Sequence, residues 1–207
     1  MDNSTLASSA DYADALLIAR RAANILSAII LVILLFQVGL FFAARYKIQV
    51  DASSRTLDLL KYLVGLTDFL GVVLPVILSF ILALIVMIML LGRLLGVSRL
   101  VLAFVGCVVL MVLLFPWQAF LINQTFSSDQ FKIPGVLYTW SELVLRARSH
   151  PDHPMLSLLY WARFAGWPVV AIALLLKMQY NSAKGLGAAL RDASSTRTGT
   201  DQPPANS

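Results

Sequence analysis

One cysteine and two histidines are all that this chain of 207 residues holds of the side chains that most readily bind transition metals or run thiol chemistry. Cys107 has no partner within the chain, which excludes an intramolecular disulfide, a Cys-x-x-Cys redox pair and a thiolate zinc site. His150 and His153 flank Asp152 in the run Ser149-His150-Pro151-Asp152-His153-Pro154. A His-x-x-His pair beside an acid is a fragment of a metal site. Here two prolines break any helix that presents both imidazoles on one face, and the run reads as a polar turn. No metal or cofactor is expected. Charge is also scarce, at 13% of residues, and no acid lies within the body of a long apolar run, which argues against a proton-coupled exporter of the small four-helix type. The Gly-x-x-x-x-Gly-Lys-Ser/Thr phosphate loop, the Gly-x-Gly-x-x-Gly fingerprint, the His-Glu-x-x-His zinc helix and the Gly-x-Ser-x-Gly elbow are all missing. The chain is therefore expected not to be an enzyme.

What it has in excess is apolar length. Four runs, residues 25–44, 69–92, 100–122 and 156–176, each reach the roughly 20 residues that a helix needs to cross about 30 Å of hydrocarbon. Hydrophobic residues make up 59% of the sequence and mean hydropathy is +0.80, more apolar surface than a water-soluble domain of this size can hide. The expected fold is an all-α membrane protein, a bundle of four transmembrane helices with short amphipathic interfacial helices and a disordered C-terminal tail. Its parts are a polar tail and amphipathic lead-in (1–24), the four-helix domain (25–176), a basic helical extension (177–192) and the tail (193–207). Arg20 and Arg21 imitate the start of a signal peptide, but the run that follows exceeds a cleavable core of about 7–15 residues.

Four crossings place both termini on one side, side one, together with the loop between the second and third runs. The basic residues behind the net charge of +5 divide almost evenly between the two sides, so their placement decides. The 93–99 loop carries Arg93 and Arg99 without an acid. The side-two segments dilute their bases with Asp51, Asp58, Asp129, Glu142 and Asp152. The positive-inside rule then puts both termini in the cytoplasm of a cell that carries the protein in its membrane. Because the bases flank spans and do not gather on a soluble face, the expected partners are the bilayer and its anionic headgroups, not nucleic acid. Lys177, Lys184 and Arg191 recur at heptad spacing as one basic stripe, either an ordinary positive-inside flank or a surface for anionic lipid or a partner.

The side-two connections carry helical signals of their own. Ser53-Ser54 caps a helix through Leu57, Leu60 and Val64, which Gly65 and Thr67 divide from the second span. Pro134-Gly135 opens an interfacial helix bearing Val136, Trp140, Leu143 and Val144. Pro75, Pro116 and Pro168 interrupt three of the four spans.

Polar groups at membrane depth are the best pointer to function, because each must find a partner. Arg163 lies about seven helical residues, or roughly 10 Å, from the side-two end of the fourth run. Either its guanidinium snorkels out among Tyr160, Trp161 and Trp167, or it centres a cluster with Asp68 or Gln118, in the leaflet that also holds Gln37, and lines a small cavity. On the second helix Asp68, Gly71, Pro75, Ser79 and Ala83 form one small face. Its expected mate is Ala162, Gly166, Val169 and Ala173 on the fourth, while Ala103, Cys107, Leu110, Leu114 and Gln118 make a similar stripe on the third.

Two functional readings follow. One is a non-enzymatic multi-pass membrane protein, an accessory, scaffold or assembly subunit that packs against another membrane polypeptide or its own copies. The other is a small transporter or channel component with an Arg163-lined, anion-attracting vestibule.

Overall fold

Steps of four and three residues, repeated along every helix, decide how this chain packs. The computed structural model describes residues 9–45, 54–115, 136–137, 157–158 and 161–200. Among them there is no strand. Helices α1 (Ser9–Arg45), α2 (Ser54–Leu91), α3 (Val97–Leu114) and α4 (Trp167–Thr200) account for nearly all, and α4 is entered through a π-helical turn, Ala162–Gly166. The buried side chains are Ala23, Ser27, Ile30, Leu34, Gln37 and Phe41 on α1 and Leu78, Leu82, Ile85 and Met89 on α2. Leu100, Ala103, Cys107, Leu110 and Leu114 are their counterparts on α3, and Ala171, Leu175 and Met178 on α4. A seam alternating in steps of three and four is what knobs-into-holes packing at a left-handed crossing near +20° requires.

The helices close a ring in chain order. Each of α2 and α3 packs on its chain neighbours, and α4 packs on α3 and returns to α1. The chain is thus an all-α bundle, and three of its helices, over Asp14–Ala43, Asp58–Leu91 and Val97–Leu114, are long and apolar enough to cross a membrane.

A tight turn holds α2 to α3. Arg93, at φ 49°, is the left-handed residue just past α2, with Leu94 N–H donating to Met89 O at 3.0 Å and Arg93 N–H to Leu90 O at 3.2 Å. These two bonds make a Schellman motif, which satisfies carbonyls that the helix end leaves open. Gly96, at φ 94°, then begins α3, and there the left-handed backbone does require glycine.

Several sequence expectations change. The lead-in and first span are one helix, α1, and Leu16 in the lead-in is already buried in the bundle. Gly65 and Thr67 do not divide α2. An internal glycine costs a helix only about 1 kcal/mol, and the Thr67 hydroxyl closes back on Val64 O at 2.8 Å. The third run ends as a helix at Leu114, because Phe115 precedes Pro116 and takes the extended conformation (φ −64°, ψ 136°) that a following proline imposes. Residues 116–122 of that run lie outside the described residues. The fourth run is not one regular span, since the π-turn intervenes and only the first ten residues of α4 are apolar before Lys177. That turn lies just ahead of Pro168, whose missing N–H and bulky ring are what a locally widened helix accommodates. At the far end α4 continues to Thr200, into the segment read as a disordered tail. Extending an existing helix is cheap, and no proline intervenes before Pro203. Residues 201–207 lie outside the described residues.

Candidate functional site

Polar side chains of three segments, buried or half-buried, meet at one end of the bundle, around Gln37, Asp68 and Arg163. Gln37, 1% exposed at a seam position of α1, donates from Nε2 to Asp68 Oδ1 of α2 at 3.0 Å. One turn further along α2, Gly71 leaves room for Leu137: a Cβ built at Gly71 would lie 2.8 Å from Leu137 Cδ1. Leu137 and Val136 enter the bundle here as non-helical backbone. Both are buried, and Val136 N–H donates to Leu113 O at 3.3 Å near the end of α3. Arg163 then completes the contact from the fourth segment, its Nη2 donating to Leu137 O at 3.1 Å while 9% of the residue is exposed. Beside it, Phe164 stacks on Phe41 of α1 with ring centroids 4.9 Å apart and planes within 4°. Trp161 meets the edge of Phe41 at 6.0 Å. Phe41 sits one helical turn from Gln37, so the contacts run around the whole ring of helices and close on themselves.

The π-turn is what makes this possible. It brings the consecutive residues Arg163 and Phe164 inward together, and Trp167 N–H bonds back to Ala162 O over five residues, not four. The structure turns Arg163 inward onto a backbone carbonyl. A hydrogen bond from a charged donor to a buried carbonyl contributes about 1.5–3 kcal/mol.

The sequence-derived residues divide clearly. Asp68 and Gln37 come into direct contact, Arg163 reaches the same end through Leu137, and Gln118 lies outside the described residues. Gly71 and Pro75 are buried, and Ser79 turns its hydroxyl onto Val76 O at 2.7 Å. Their mate is not the fourth helix. Pro75 O accepts from Cys107 Sγ of α3 at 3.6 Å, Gly71 faces Leu137, and Ala162, Gly166, Val169 and Ala173 all point outward. The inward face of α4 is instead Ala171, Leu175 and Met178, on the opposite side of the helix. Val136, expected on an interfacial helix, is instead fully buried. Trp140, His150, His153 and Tyr160 lie outside the described residues.

Sequence reasoning missed Leu137 and the stack of Phe41 on Phe164. Phe41 does continue the 23, 27, 30, 34, 37 seam of α1, which was the available signal. No protein family, curated protein or solved structure matches this chain. Its chemistry must be judged on geometry alone. Among the described residues no three His, Cys, Asp or Glu side chains gather closely enough to hold a metal ion. The donors and acceptors that are brought together fasten one segment of the chain to another.

Proposed function

We propose that this chain is a multi-pass integral membrane protein of non-enzymatic type, with four crossings and both termini in the cytoplasm, that serves as a scaffold or accessory subunit through helix packing. One observation carries the membrane part. The outward faces of α1, α2 and α3 are built from large apolar side chains such as Ile25, Val32, Phe80, Leu84, Val105 and Val109, while Ser27, Gln37 and Arg163 face inward. A water-soluble monomer rarely exposes apolar patches above a few hundred Å², whereas a bilayer is the natural solvent for such a surface. The fourth crossing in this reading is the apolar run 156–176, long enough to reach about 30 Å as a helix at 1.5 Å per residue.

The scaffold part is supported by the use to which the polar cluster is put. Gln37, Asp68 and Arg163 join α1 to α2 and the π-turn to the 136–137 segment, a use that serves assembly. An anion vestibule has less support, because Arg163 Nη2 is committed to Leu137 O in a side chain that is nine-tenths buried. Native mass spectrometry of the gently solubilised protein from its own host tests the proposal. A stoichiometric second membrane polypeptide is expected. A bare homo-oligomer, together with anion flux in liposomes that Arg163→Gln abolishes, would overturn it in favour of transport.

A further inference from the structure

At the side-one end α3 and α4 meet backbone to backbone. A Cβ built on Gly96 would lie 2.6 Å from Gly185 O, and one built on Gly185 would lie 3.2 Å from Gly96 O and 3.5 Å from the Cβ of Arg99. This close approach fixes which side chains stand together at the seam. Lys184 immediately precedes Gly185 and holds its Nζ 4.2 Å from the centre of the Tyr180 ring. Arg99 leaves the first turn of α3 opposite, and all three side chains are exposed. The Tyr180 phenol is drawn below its ordinary pKa by hydrogen bonding and charge from Lys184, with a smaller contribution from Arg99.

Two further features favour an anion there. The N-cap of α3 is Gly96, which offers no side chain to the first-turn amides, and a helix N-terminus carries partial positive charge. Toward the proposed hydrocarbon region the same seam is flanked by exposed Leu102 of α3 and Leu176 of α4.

We infer that Arg99, Tyr180 and Lys184 form a binding site for the phosphate of an anionic phospholipid, whose acyl chains lie along the outward apolar faces of α3 and α4. The inference rests on the membrane reading above and gives it a particular lipid contact. Two cations on neighbouring helices, one of them against a phenol, supply charge and hydroxyl donation to phosphate oxygens. The glycine contact holds them in register, which an ordinary string of positive-inside residues on a single helix does not do. The position at the rim of the apolar faces selects a headgroup over a phosphate in solution.

The test uses the full chain in nanodiscs of phosphatidylcholine, with or without phosphatidylglycerol, read by thermal melting and by native mass spectrometry of retained lipid. Phosphatidylglycerol is expected to raise Tm, and R99Q/K184Q to weaken its binding about 25-fold, at roughly fivefold per cation. The pair R20Q/R21Q removes the same charge from α1, on a different helix from the site, and is expected to leave binding nearly unchanged. The charge-preserving pair R99K/K184R should retain most of it, which guards against a folding artefact. Equal losses in both neutralised pairs would overturn the site in favour of diffuse attraction. A shift of equal size from inorganic phosphate in neutral detergent would assign the site to a soluble anion, and no response to phosphatidylglycerol would remove it. Alkaline carbonate extraction of host membranes separates the two readings. Release of the chain ends the membrane reading itself, whereas retention without a lipid response ends only the site.

Discussion

Arg93 occupies a backbone conformation that glycine would hold more cheaply. A left-handed residue with a Cβ costs roughly 1–2 kcal/mol, so Arg93→Gly is expected to raise stability by about 1 kcal/mol in a denaturation series. Gly96 makes the opposite case, because its positive φ and the Gly185 carbonyl leave no room for a methyl group. Gly96→Ala should cost at least about 2 kcal/mol, whereas Gly187→Ala, with nothing within 4 Å, should stabilise α4 by about 0.5–1 kcal/mol. Arg163→Leu leaves Leu137 O in an apolar surround and is expected to cost about 1–3 kcal/mol. The check is a fall in the Tm of the detergent-solubilised protein clearly larger than that of Leu102→Ala on the outward face. Single residues of this kind were only partly legible. Arg163, Asp68 and Gln37 stood out because polar groups are rare in apolar runs. Leu137 could not, since its importance lies in a backbone carbonyl and in the space left by a glycine 66 positions earlier, neither of which hydropathy records.

At the scale of the element, the inward stripes of α1 and α3 follow from heptad spacing in the sequence, but the pairing of helices does not. Small residues on α2 and on the fourth run suggested each other as mates, since close approach in membranes favours glycine and alanine. The ring instead sets α3 and α1 beside α4. The π-turn reorients the start of the fourth segment, and no propensity scale signals such a turn. Proline acts more predictably, and Pro116 ends α3. Pro116→Ala should let the helix pass Phe115, and the new amide at position 116 is then expected to be protected in hydrogen exchange. Fast exchange at that amide would show that the Val136 contact with Leu113, not the proline, stops the helix.

Among the described residues, many large apolar side chains face outward while Ser27, Gln37 and Arg163 are buried. The all-α bundle was legible from apolar run length and hydropathy, which left the neighbours of each helix open. Orientation is the property to test at this scale. In a Cys107→Ala background, Ser98→Cys at the α2–α3 turn should react with a membrane-impermeant maleimide in inverted vesicles and not in right-side-out ones. The reverse pattern would place both termini outside the cytoplasm.

The polar contacts also bear on how such a chain is made. Gln37 meets Asp68, Pro75 meets Cys107, and Leu137 meets Arg163 across separations of 31, 32 and 26 residues, so each hydrogen bond joins a segment to the one synthesised next. A helix leaving the ribosome therefore waits for a single successor before its polar group is sheltered. The five residues between α2 and α3 are too few for one of that pair to settle long before the other. The contacts of Phe41 with Phe164 and Trp161 span nearly the whole bundle, and they can form only when the last segment arrives. The fold is thus laid out for vectorial assembly, a row of fastenings between successive segments closed by aromatic contacts between the first helix and the last segment.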